Sequence, residues 1–191
     1  MEPDSYKPGN VIYTDPRSLK TTDGVTTAII AGHPTTSGYK DADGENARFR
    51  YITGFVGVTA NILIAVEHYN HCLRRVQRDT GLTTTFSGVC TSPGYQDGTQ
   101  AKFYFPTSII RDNQSRKQLL VFDENNNEIR TVAVSDGSVG TFIKSNNIGN
   151  PQYLTQNTVG DIFATNVFAV FQISYTGKTI TLLAGSQDTT G

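Results

Sequence analysis

Residues 61–76, NILIAVEHYNHCLRRV, and residues 117–132, KQLLVFDENNNEIRTV, follow one plan 56 positions apart. Each holds an apolar strand, an acid (Glu67, Asp123), a polar turn, and then Leu or Ile followed by Arg (Leu73-Arg74, Ile129-Arg130). GDIFATNVFAVFQISY (160–175) is a looser copy with Asn166 where the acid stands, and GNVIYTDPRSLKTT (9–22) a shortened one with Asp15 there. A repeated supersecondary unit constrains a chain more than composition does, because each copy must bury its apolar faces on the next.

The stretches after these segments repeat as well: GVTTAIIAG (24–32), GLTTTFSG (81–88), GSVGTFIKS (137–145) and GKTITLLAG (177–185) each leave a turn on Gly and continue as a Thr- and Ile-rich strand. Ile30, Phe86 and Phe142 are spaced by 56 residues, and Leu183 follows 41 later. YITGFVGV (51–58) and FPTSIIRD (105–112) read as first strands. Each full unit is thus four short antiparallel strands, a to d. ILIAV and LLVF are apolar on successive residues, which marks strands covered on both faces. Four-stranded sheets that repeat every 40 to 56 residues and are covered on both sides are the blades of a β-propeller. The expected fold is all-β, with about four blades over residues 9–37, 38–93, 94–147 and 148–185 of one domain, the first blade lacking strand a.

Between blades run GYKDADGENARFRYI (38–52) and GYQDGTQAKFYFP (94–106). Asp43-Gly44 and Asp97-Gly98 are expected as turns, with the Asp side chain bonding nearby N–H groups. Phe49, Tyr51, Phe103 and Phe105 are expected to pack between blades.

The motifs GYxDG…AxF…P, LLVFDxNNNxIR, GxVxTF and YNHCLRRV resemble the NHL-repeat β-propellers, most closely over residues 38–144. Typical members close six blades. The resemblance therefore implies that this arc of about four either closes tightly or is completed by another chain, and the expectation is a homodimer through open blade ends. It also implies two precedents to weigh, metal-dependent lyases or hydrolases and RNA binders.

Net charge is −1, with sixteen basic and seventeen acidic residues, so no field to neutralise phosphates exists and nucleic acid is not an expected partner. Arg74, Arg75 and Arg78 read as a solvated strand edge. No apolar run is long enough to span a bilayer, and MEPDSYKPGN carries no apolar core of a signal peptide.

Hairpin arithmetic places Cys90 two residues beyond the position facing Cys72, within bridging reach. The expectation is a disulfide, and the alternative two free thiols in a reducing compartment. Asn113-Gln114-Ser115 is a glycosylation sequon in an a–b turn. With the disulfide it points to an extracellular protein.

His33, His68 and His71 fall on the rim formed by b–c turns and d–a links, where three imidazoles can hold zinc, although solvated loop positions explain them more simply. DADGENA (41–47) lacks the further ligands of a calcium loop. No nucleophile elbow, phosphate loop or metalloprotease motif occurs, so no cofactor, metal or catalytic residue is assigned. The preferred reading is a module that binds a protein or glycan through a rim of Tyr39, His68, Tyr69, His71, Tyr95, Asp123, Asn125 and Asn127, whose Tyr and Asn side chains supply rigid area and adaptable hydrogen bonds. A metal-dependent hydrolase or lyase is the alternative.

Overall fold

The structure, a computed structural model, describes residues 2–3, 9–144, 148–149 and 151–186. It contains four antiparallel four-stranded sheets, each a meander in chain order. Blade one comprises β1 (Glu2–Pro3), β2 (Val11–Asp15), β3 (Ser18–Thr22) and β4 (Thr27–Gly32). Blade two holds β5 (Ile52–Gly57), β6 (Ile62–Glu67), β7 (Cys72–Gln77) and β8 (Thr83–Ser87). Blade three holds β9 (Pro106–Arg111), β10 (Gln118–Asp123), β11 (Glu128–Ala133) and β12 (Val139–Lys144), and blade four β13 (Tyr153–Gln156), β14 (Ile162–Thr165), β15 (Ala169–Ile173) and β16 (Ile180–Gly185).

One expectation about the first blade is corrected. It does have a strand a, of two residues, paired Glu2 with Ile12 and Pro3 with Val11. So short a strand has no periodicity to read.

The unbroken apolar runs are explained by stacking. In β6, Leu63 and Ala65 enter a cluster with Ile12, Leu19, Ile30 and Phe49 of the blade one side, while Ile64 and Val66 join Phe103, Ile109, Leu119 and Val121 towards blade three. β10 repeats the division, sending Leu120 and Phe122 to a third cluster with Leu154, Ile162 and Phe171 of blade four. Side chains of successive residues point to opposite faces of a strand, so a sheet between two neighbours must be apolar at every position. Among the described residues, no such cluster joins blade four to blade one. Those end blades accordingly alternate: β15 is buried at Ala169, Phe171 and Ile173 and half-exposed at Val170 and Gln172.

Strand d ends close against the b–c turn in blades one, two and four. A Cβ on Gly32 (φ +98°) would meet the Arg17 carbonyl oxygen at 2.2 Å, one on Gly88 (φ +88°) the His71 carbonyl oxygen at 3.1 Å, and one on Gly185 (φ +89°) the Phe168 carbonyl oxygen at 2.0 Å. Only glycine meets both the conformation and the approach.

Candidate functional site

The acid of strand b and the arginine of strand c, legible as a pattern, form a buried ion cluster in each of the two middle blades. The Arg74 Nη1 donates to Glu67 Oε2 and to the Arg48 carbonyl, and Nη2 to Asp41 and the Lys40 carbonyl. The guanidinium carbon lies 4.9 Å from the Tyr39 ring centroid and 5.2 Å from that of Phe49. Every part recurs 54 to 56 residues on. Arg130 donates to Asp123 (2.7 Å), Asp97 and the Lys102 and Gln96 carbonyls, between the Tyr95 and Phe103 rings at 4.6 and 5.5 Å. Asn70 and Asn126 each bond the acid of their own blade and a glycine carbonyl of the link, Gly38 or Gly94. Burial pushes the Asp123 carboxyl up to about 6 against the pull of Asn126, the Tyr104 N–H and Arg130, and pushes Glu67 up likewise.

These clusters correct three expectations. Arg74 is wholly buried, so it is not part of a solvated edge. Asp97 is spent on Arg130 rather than on turn N–H groups; its counterpart is Asp41, and Asp43 makes no side-chain cap. Asp123 is buried and presents nothing at the rim. Tyr39 and Tyr95 cover the arginines and bond Thr85 and Thr141 (both 2.8 Å), and both remain exposed.

The residue after the acid has a different fate. Pro16, His68, Glu124 and Val167 occupy this position in blades one to four, and the last three line one cleft of about 500 Å³. Tyr51, Ile52, Thr53 and Thr107 line it from the strand a side of blades two and three, and Pro151, Gln152 and Tyr153 from blade four. Placing a residue at the end of strand b thus delivers one side chain per blade to a common mouth.

Around that mouth the aromatic rings are fixed by each other. His68 stacks on Phe105 (centroids 4.8 Å, 29°) and meets Tyr69 and Tyr51 edge-on at 4.9 and 6.0 Å. Its Nδ1 lies 3.2 Å from the Pro106 carbonyl oxygen, which only accepts, so Nδ1 carries the proton and Nε2 the lone pair. His71 is the opposite tautomer: its Nδ1 accepts the Phe105 N–H at 3.1 Å. Phe105 is held there at φ +54°, a left-handed conformation costly for a bulky residue. Burial lowers both imidazoles, with His68 and Arg50 adding charge repulsion at His71. Tyr51 and Phe105 thus belong to the rim, while Phe49 and Phe103 are buried between blades as expected.

Glu124 stands opposite His68, with Oε2 3.8 Å from Nδ1. Burial raises its carboxyl, and no donor among the described residues hydrogen-bonds it. Asn125 is exposed, and Asn127 sits in the left-handed region (φ 52°) as the counterpart of His71.

The remaining candidates lie apart. His33 accepts the Thr35 and Thr36 N–H groups within its own loop. Among the described residues, no group of three His, Cys, Asp or Glu side chains is placed to hold a metal. Cys72 and Cys90 form a disulfide with Cα atoms 5.0 Å apart. Asn113 is exposed on the opposite face, and its Nδ2, the atom a glycan would occupy, donates to the Asn157 carbonyl. No described helix is long and apolar enough to cross a membrane.

Sequence reasoning missed Tyr51, Thr53, Glu124 and Tyr153. For Glu124 the signal was present, one residue past the repeated acid and in register with His68.

No protein-family profile and no curated protein matches the chain in sequence. Solved structures do match in fold. A structure of a nidogen/laminin complex superposes with a TM-score of 0.64 at 10% identity, over 91% of this chain and 60% of that one. An auxiliary nutrient binding protein from Bacteroides ovatus gives 0.58 at 17%, over 84% and 44%. A catalytically inactive histidine-to-alanine variant of virginiamycin B lyase from Staphylococcus aureus, with quinupristin, gives 0.60 at 18%, over 91% and 51%. The chain spans about half the length of the proteins it matches, and at these identities the likeness shows the propeller fold.

Proposed function

We propose that this chain is an extracellular, NHL-like β-propeller module that binds a protein or glycan ligand on the face carrying the b–c turns. The observation that carries this reading is the convergence of His68, Glu124 and Val167, one from each of three blades, on a cleft rimmed by Tyr51, Tyr69 and Tyr153. Rigid aromatic rings around a concave site, with a few convergent polar groups, are what ligand recognition requires. The disulfide supports an oxidising compartment. Propeller neighbours that are binding proteins by name support the binding class.

The test is a glycan and protein array probed with the wild type and with Tyr51→Ala, Tyr69→Ala and Arg116→Ala. Loss of the captured ligand in the first two, and retention in the third on the opposite face, is expected. The reverse pattern overturns the assignment.

A second reading, self-association through the open ends of the arc, is favoured by the exposed Phe168 and Leu183 of blade four, because an uncovered apolar sheet surface invites a partner. Sedimentation should give a dimer that Phe168→Glu and Leu183→Glu weaken. A strict monomer at high concentration excludes it.

A further inference from the structure

Among the described residues that line the cleft, one carries a formal charge at neutral pH, Glu124. Its carboxylate is half-buried and raised by burial, yet receives no hydrogen bond from any described residue. The ionisable neighbour at 3.8 Å, His68, does not compensate it, because its N–H is directed to the Pro106 carbonyl and burial keeps the ring neutral. No Lys or Arg is among the described lining residues. Such a carboxylate has lost water without gaining a donor, which is a standing free-energy cost that a ligand can remove.

The chemistry of the walls says which ligand. Tyr51 and Tyr153 expose ring surface to the cleft. Thr53 adds a buried Oγ1 that has no hydrogen-bond partner, whereas the Thr107 hydroxyl is already spent on the Pro151 carbonyl. An anion would set a second negative charge against Glu124. A neutral group would relieve the carboxylate and pack on the rings but would gain no charge attraction from the ring faces or from Glu124, both of which attract cations. The same rim already holds one such contact, the Arg50 guanidinium 5.6 Å from the Tyr69 ring centroid.

We infer that the cleft takes a cationic group, an ammonium or guanidinium, between the Glu124 carboxylate and the Tyr51 and Tyr153 rings, with Thr53 Oγ1 as a further acceptor. The inference rests on the cleft being the binding site proposed above, and narrows its ligand. The cation comes either from a Lys or Arg side chain of a protein or from an amino sugar.

The test is an NMR titration of the whole chain with Nα-acetyl-lysine amide, Nα-acetyl-arginine amide and glucosamine. Each is paired with a neutral or isosteric control: the Nε-acetylated lysine derivative, citrulline amide and N-acetylglucosamine. The cationic probes should shift the amides of Thr53, Glu124 and Tyr153 and bind at least about tenfold more tightly than their controls. Glu124→Gln, with unchanged melting temperature, should abolish that preference. The stronger of the amino-acid and amino-sugar arms then identifies the source. If neutral and cationic probes shift the cleft alike, or Glu124→Gln keeps the preference, the inference falls and the binding site stands. If no probe shifts the cleft amides, both fall.

Discussion

Blades two and three differ from blades one and four in what fills the space beneath their b–c turns. In the middle blades a buried arginine ties strands b and c to the incoming link through four hydrogen-bonding partners each. In blade four Asn166 does the corresponding work with neutral bonds, donating to the Ile148 carbonyl and accepting from the Phe168 and Ala169 N–H groups. In blade one Asp15 is half-exposed and pairs with Lys20 and Ser18. The inner blades must hold the long links between Gly32 and Ile52 and between Ser87 and Pro106 against a sheet covered on both sides, and a charged hub can bond several carbonyls and carboxylates at once. The comparison teaches that the acid of strand b is a scaffold device whose strength varies with how much chain it must organise.

The sharpest way to break that comparison is to remove the acid. Glu67→Ala and Asp123→Ala each strand a buried guanidinium and should cost about 3 to 5 kcal/mol in urea unfolding. Asn166→Ala, which removes only neutral bonds, should cost about 1 kcal/mol. Equal losses at all three positions would mean that the middle blades have no special dependence on charge.

The middle blades can next be told from one another through the disulfide, which only blade two has among the described residues. Cys72 and Cys90 close a loop with a sequence separation of 18, so the Cys72→Ser/Cys90→Ser double variant should lose about 3 kcal/mol. Unfolding in reductant should reproduce that loss; a wild type indifferent to reductant removes the prediction.

Finer still are the tyrosine lids. Tyr39→Phe and Tyr95→Phe keep the ring over the arginine and delete one hydroxyl bond each, to Thr85 or Thr141, for about 0.5 to 1.5 kcal/mol apiece. A large asymmetry between the two would show that the copies are not energetically equivalent.

The smallest expected effect comes from exchanging a residue between copies. His71→Asn installs the residue of Asn127 at a position with the same left-handed backbone, φ 57° against 52°. At pH 7 the change should stay within about 1 kcal/mol. The pH dependence carries the signal. His71 is lowered in the folded chain by burial and by neighbouring charge, so the folded state resists its proton. The associated stability is present above the ordinary imidazole value of 6.5 and is lost as pH falls below it towards the lowered value. Melting temperatures from pH 7 to 5 should therefore fall less steeply for His71→Asn than for the wild type, and parallel slopes would remove His71 from the account.

Much of this was legible in the sequence for a plain physical reason. Strands b such as ILIAV and LLVF declare a sheet covered twice, and the 56-residue recurrence declares that the cover is another copy. The two-residue β1 was invisible because two residues carry no periodicity to read. The buried arginines were visible as a pattern and Arg74 was misread as a surface, because a charged residue beside Arg75 and near Arg78 looks solvated until its three-dimensional partners, Asp41 from the preceding link above all, are in place. The cleft was half legible: His68 and Tyr69 stood out as rare or large side chains. Glu124 was marked by its register with His68 alone, and Thr53 by nothing, since their lack of a hydrogen-bonding neighbour is a property of packing rather than of residue type.

The ion clusters also bear on how such a chain can change length. Each closes within its own repeat, Asp41 to Arg74 in one copy and Asp97 to Arg130 in the next, and neither borrows a charge from the blade beside it. A gene segment encoding one copy can therefore be gained or lost without leaving an orphaned ion in the product. What passes between copies is apolar contact with scattered hydrogen bonds such as that from Ser87 Oγ to the Gly137 carbonyl, and such contact tolerates a new neighbour of similar shape far better than an unpaired charge tolerates none. Copy number is then free to drift, while the interior of every copy stays under strict selection.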